Sequence, residues 1–284
     1  MPVPSGAIPR VEVQWSHREF VDAVAPLHVL LSIVHAKRLL KRGETAASYF
    51  PDRTSVITTT TIADDHLDRL SWQDERDIVT TFEPAMHIPA DYPVYGDDPP
   101  EIRYERAEQC ATGTIWIADQ LEKAGVDVDV LPLIKGVTET ERGFGYQACE
   151  ELDVGVAAVY AAQYFSAGGG GGRSALVRDL EAIRTEASEL DVVVVGLLSP
   201  NYLEHVPENV IGAAGHRAWR EPVAPRKQDA IEMREGYREL VKGADEALGI
   251  NQPAAGGTPN PEAEAATAET TKRVDSKEES EGDN

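Results

Sequence analysis

The sequence predicts an α/β fold of parallel strands alternating with helices. A (β/α)8 TIM-type barrel is the first expectation, and a doubly wound open sheet is the other topology. Three observations carry this. Short β-branched runs alternate with stretches of helical periodicity, the order expected of βα units. Residues 192–198, VVVVGLL, are nearly all apolar, as in strands of a parallel sheet covered on both faces. About six such units can be read, and HVLLSIV at 28–34 reads as a further strand.

In chain order, residues 1–10 (MPVPSGAIPR) read as a flexible start and residues 11–250 as the barrel-like body. SVITTTTI at 55–62 reads as a strand, followed by the polar helical stretch DDHLDRLSWQDER. DIVTTF at 77–82 is read as the next strand from its β-branched content. Residues 101–124 place apolar side chains at helical spacing. VDVLPLI (128–134) is read as a strand, ETERGFGYQACEEL (139–152) as a helix and VGVAAVY (154–160) as a strand. A helix over 174–190, the VVVVGLL strand, a helical turn at NYLEHV, a strand at VIGAA (210–214) and a closing helix over 229–247 complete the body. Residues 251–284 lack aromatics and are rich in Pro, Gly, Ala and Glu. This composition reads as a disordered acidic tail, because it cannot bury enough surface to offset its ordering entropy.

A hydrophobic fraction of 42% can fill a core. The 49 acidic against 27 basic residues give a formal charge of −22. Self-repulsion at that charge is relieved by concentrated salt, and arginine outnumbers lysine 19 to 8. Together these point to a salt-rich cell interior, with an ordinary acidic protein as the alternative. Net charge does not exclude nucleic acid, since in strong salt the counterion term is small for any protein. Cys110 and Cys149 form no CxxC pair, which excludes a disulfide framework and a cysteine-rich zinc site. No secretory pattern and no run of 18 apolar residues is present, so the cytoplasm is the expected location. No HExxH, phosphate-loop, dinucleotide or GxSxG motif occurs, and neither cofactor nor metal is expected.

Ligands of such folds bind just past strand C-termini. After DIVTTF comes EPAMHIPADYPVYGDDPPEIR, carrying Glu83, His87, Asp91, Asp97 and Asp98 among five prolines that stiffen the loop. It is either a pre-organised acidic site or a solvated acidic loop. After VDVLPLI come Lys135 and Gly136, a phosphate or carbonyl contact with close backbone approach, or a surface lysine before a helix. Gly168–Gly172 before Arg173 present main-chain N–H groups to an anion or act as a linker. His216, Arg217 and Trp219 after VIGAA could hold a base or phosphate, or Trp219 packs the rim. The other histidines lack ligand spacing and read as structural.

The segments HIPADYPVYGDDPPEIR, LPLIKGVTETER and YAAQYFSAGGGGGRSALVRDLEAI, in that order, resemble the tRNA-guanine transglycosylase superfamily, and most closely its DNA-directed DpdA-type branch. The match covers roughly residues 50–220 and rests on motif order and spacing. The resemblance implies a (β/α)8 barrel that exchanges guanine in DNA, ahead of tRNA, for a free 7-deazaguanine base through a glycosyl-aspartate. It implies that Asp91 recognises the purine edge, aided by His87, Gln163 and His216. Lys135 and Gly136 would replace a usual Gln-Gly pair, and Gly169 and Gly170 would correspond to a Gly-Gly turn on the base. The usual Asp-Ser-Gly motif of the general acid/base is missing, and Asp64 or Asp65, which stand near its place, would handle protons, with Asp91 as the third catalytic candidate. GAAGHRAW at 212–219 lacks the family's late nucleophilic aspartate, and two cysteines cannot supply its zinc site. Two other readings therefore stay open: a non-catalytic nucleic-acid-modification partner on the same fold, and a barrel enzyme acting on a small phosphorylated metabolite.

Overall fold

A computed structural model describes residues 3–165 and 172–250. The glycines Gly169 and Gly170 and the acidic tail at 251–284 lie outside the described residues. Eight strands build one curled, all-parallel sheet: β1 (Gly6–Val11), β2 (His28–Ser32), β3 (Ser55–Thr59), β4 (Met86–Ile88), β5 (Asp129–Val130), β6 (Val156–Tyr160), β7 (Asp191–Val195) and β8 (Val210–Gly215). Their order is β5-β4-β3-β2-β1-β8-β7-β6. Past β5 the chain reaches across to β6. Leu133 forms a parallel bridge with Ala158, and Ala158 exchanges hydrogen bonds with Pro132 O and Ile134 N at 2.8 and 2.9 Å. The two ends of the strand order are thus in contact.

Helices fill the connections: α1 (Trp15–Val24), α2 (Ile33–Leu40), α3 (Ala46–Tyr49), α4 (Asp64–Leu67), α5 (Trp72–Phe82), α6 (Pro100–Ala124), α7 (Glu139–Glu151), α8 (Gly172–Glu186), α9 (Pro200–Leu203), α10 (Arg217–Val223) and α11 (Ala230–Ala247), with a 3-10 turn at Ala162–Phe165. Strand alternation sorts the core into two layers. Ile8, Leu30, Ile57, Met86, Ile88, Leu133, Ala158, Val193 and Ala214 form one apolar cluster on one face of the sheet. Their neighbours Val29, Leu31, Val56, Val192, Val194 and Ala213 pack with the helices in the larger cluster. The cluster with Ile8 and Ile57 ends in polar residues toward the strand C-termini, and that is where the site forms. No helix among the described residues is long and apolar enough to cross a membrane.

The largely apolar β7, the α6, α7 and α11 helices and the β3, β6 and β8 runs match the expected elements. Four expectations are corrected. Residues 77–82 are the last two turns of α5, not a strand. Ser71 caps that helix by accepting from Asp74 N, and Ile78, Val79 and Phe82 are buried on one helical face. Helical packing overrides the β-branched propensity, and the real strand is the three-residue Met86–Ile88, too short to carry a period. The stretch DDHLDRLSWQDER is split between α4 and α5. Residues 6–10 are not loose: β1 lies mid-sheet, pairing Gly6–Pro9 with β8 and Arg10–Val11 with β2. Its glycine and proline content conceals the strand. HVLLSIV ends as a strand at Ser32, and Ile33 opens α2.

Candidate functional site

A cavity of about 330 Å³ opens at the strand C-termini, near the lower end of the roughly 300–1,000 Å³ usual for small-molecule sites. It is lined by Arg10 from β1, Thr61 after β3, Asp91 after β4, Lys135 after β5 and Tyr160 of β6, with Asp64, Tyr95 and Gln163 at its margins. Four residues singled out by sequence, Asp64, Asp91, Lys135 and Gln163, therefore converge here.

At its centre, Lys135 Nζ lies 2.5 Å from Asp91 Oδ1, with the side chains 4% and 6% exposed. Asp91 Oδ1 has no hydrogen-bond partner of suitable angle, so the contact is an ion pair of point charges. Each charge compensates the desolvation of the other. The Lys135 ammonium also stands 5.7 Å from the centre of the Tyr160 ring, within cation–π range. Arg10 Nη2 donates to the Thr61 carbonyl at 2.9 Å, and burial pulls its guanidinium below the usual arginine range. At the rim, Tyr95 OH donates to exposed Asp64 Oδ2 at 3.0 Å. Burial, then this carboxylate, pushes the Tyr95 hydroxyl up to about 12, so it stays a donor at neutral pH.

Asp91 is held by its surroundings. Its N–H donates to Thr60 Oγ1 at 3.0 Å. The preceding Ala90 sits in the left-handed region at φ 48°, and its N–H donates to Glu75 Oε1 at 2.9 Å. Glu75 Oε1 also lies 2.9 Å from His87 Nε2, and His87 Nδ1 lies 2.8 Å from Thr58 Oγ1.

These contacts correct the expectation for His87. It is fully buried, faces Glu75 of α5, and does not line the cavity. Asp65 points away as well, exposed in an ion pair with Arg69. Gly136 does not line the cavity either. It adopts φ 121°, and a Cβ there would meet Glu141 Cβ at 2.4 Å, so the glycine serves packing onto α7. His216 belongs to a different region. Trp219 is core, stacked on Phe20 at 4.3 Å, with its Nε1–H donating to Arg10 O.

Sequence reading missed Arg10, Glu75, Tyr95 and Tyr160. For Tyr160 a signal existed: it ends a strand run directly before Ala161, Ala162 and Gln163. Arg10 was concealed with β1, and Glu75 within a charged helix.

A second cavity of about 600 Å³ lies beside β7 and β8, lined by Phe165, Leu197, Leu198, Tyr202, His216 and Leu240 among others. It is larger but mostly apolar. Next to it, ligand atoms of Glu12, His17 and His216 lie within 4.8 Å of one another, a spacing to test for a metal. His17 Nδ1 accepts the Glu12 main-chain N–H at 2.9 Å, and His17 Nε2 lies 2.8 Å from the Gln14 amide nitrogen, so protein groups already occupy both ring nitrogens. The two remaining donors fall short of the three protein ligands typical of even open zinc sites. The cluster does not fit a metal centre.

Burial raises the thiols of Cys110 and Cys149 to about 12, which removes them as nucleophiles. Comparison of the sequence with protein-family models and with curated proteins finds no match, so the site is read from its own chemistry.

Proposed function

We propose that the chain is a (β/α)8 barrel enzyme that exchanges guanine in DNA, ahead of tRNA, for a 7-deazaguanine base. The contact of Leu133 with Ala158 across the two ends of the strand order supports the closed barrel. The observation that carries the function is the Asp91–Lys135 pair in a small cavity with Arg10 and Tyr160. Lys135 and Arg10 only donate and Asp91 only accepts. Guanine is complementary to that set: its O6 and N7 accept, while its N1–H and N2–H2 groups donate. Adenine would turn its exocyclic amino group toward the two cations.

In this reading Asp91 and Lys135 hold the base edge and Tyr160 flanks it. Asp64, the exposed carboxylate at the rim, meets the sugar. Its oxygen attacks C1′ as the C1′–N9 bond breaks, and the electron pair leaves on the base, which takes a proton from Lys135. The incoming 7-deazaguanine returns its ring N–H proton to Lys135 as its nitrogen displaces Asp64 from C1′. Atoms and charge balance without a cofactor.

The test is incorporation of radiolabelled guanine into duplex DNA or tRNA by purified protein in molar KCl. Label in one polymer establishes the reaction and its substrate. Asp91→Asn is expected to lower incorporation by about a hundredfold or more while circular dichroism is unchanged, and retained exchange would remove Asp91 from the site. No label in either polymer from folded protein, with guanine or with 7-deazaguanine bases, overturns the reading. Polymer binding without exchange would then favour a non-catalytic partner on this fold.

A further inference from the structure

We infer that Glu75, a residue outside the cavity, is the positioning residue that aims Asp91 at the ligand. The inference rests on the reading of Asp91 as the base-binding carboxylate. Glu75 is 2% exposed on α5 and reaches across to the chain just past β4. A buried carboxylate is costly unless its oxygens are well bonded, and here one oxygen serves two neighbours, Ala90 N and His87 Nε2, each at 2.9 Å. Thr58 fixes the far side of the His87 ring at 2.8 Å. The chain Thr58–His87–Glu75 thus ends on the main-chain N–H of Ala90, the residue held in the left-handed region.

That conformation is unfavourable for a residue with a Cβ, and it turns the chain so that Asp91 faces Lys135. Two further contacts close the clamp. Thr60 Oγ1 accepts the Asp91 N–H at 3.0 Å. Gly113 of α6 leaves room for the Ala90 methyl, since a Cβ at 113 would stand 2.7 Å from it. None of Glu75, His87 or Thr58 lines the cavity, so their contribution is made through the backbone of 90–91.

Hydrogen exchange of the full chain in molar KCl, read at the amides of Ala90 and Asp91, tests this. Glu75→Met fills a similar volume without an acceptor, and is expected to speed exchange at both amides by roughly tenfold. Guanine binding by calorimetry should weaken by a similar factor. Glu75→Gln keeps an oxygen for the Ala90 N–H and should stay within about twofold of the parent in both readouts. Unchanged exchange at 90 and 91 in Glu75→Met, or a Gln variant as fast as Met, overturns the inference. Should Glu75→Met fail to fold, Glu75→Asp, whose shorter side chain cannot span to Ala90, is read by the same criteria. If the parent binds no guanine while protection at 90–91 depends on Glu75, the transglycosylase reading falls and the clamp stands. If the parent binds guanine and protection ignores Glu75, the reverse holds.

Discussion

Two polar clusters sit at the same end of the sheet and are built on opposite principles. Around β4 and β5, Asp91 and Lys135 are buried as a charged pair at 2.5 Å. Around β1 and β8, Glu12, His17 and His216 approach one another without a close ion pair, His216 Nε2 standing 3.7 Å from Glu12. Burial, followed by the neighbouring His216 ring and the Arg220 guanidinium, depresses His17 to about 3, so that ring is neutral at physiological pH. One cluster keeps its charges by matching them, and the other by giving one up. Size misleads here, since the larger cavity of about 600 Å³ borders the second cluster. Matched charge in a low dielectric can polarise a ligand, whereas a neutral histidine held by a main-chain N–H secures the turn after β1.

The comparison can be broken most severely at Lys135. Lys135→Met strands the Asp91 carboxylate in the interior and is expected to cost about 3–5 kcal/mol, read as a shift of the denaturant midpoint in molar KCl. Asp91→Asn combined with Lys135→Met should recover most of that loss, because no buried charge is then left over. Equal losses in the single and double variants would mean the pair is not coupled.

The second cluster predicts a pH effect of opposite character. The unfolded chain protonates His17 near its ordinary 6.5, while the folded chain resists until about 3. The folded state therefore binds fewer protons in that window. Stability is full above about pH 6.5 and falls as pH drops, by up to about 1.4 kcal/mol per pH unit. His17→Gln should flatten this part of the stability profile relative to the parent, and parallel profiles would show that the ring is protonated in the fold. The smallest effect is expected at His216, which is 32% exposed. His216→Ala should shift the denaturant midpoint by no more than about 0.5 kcal/mol in stability.

The same contrast explains what the sequence could disclose. Asp91 and Lys135 were legible because each follows an apolar run within a few residues, and the strand-end rule finds such residues even when the strand is misplaced by several positions. The partners that make them work were not. Glu75 lies in a helix crowded with charge, and its burial depends on how α5 packs. Arg10 is carried by a strand whose Gly6 and Pro9 look like a loose start. Glu12 and His216 are brought together by β1–β8 pairing across some two hundred residues, and no local spacing encodes that. The reading of 77–82 as a strand failed because isoleucine, valine and threonine are equally at home on a buried helix face.

The position of β1 bears on how the protein comes to exist. Its first half hydrogen-bonds to Gly212–Gly215, in a strand that leaves the ribosome some two hundred residues later. While the intervening chain is being synthesised, one side of the first strand has no native neighbour, and unpaired strand edges invite association. β1 is thus made well before the strand that completes its pairing, and truncating the chain before residue 215 would leave a waiting template rather than a smaller folded protein.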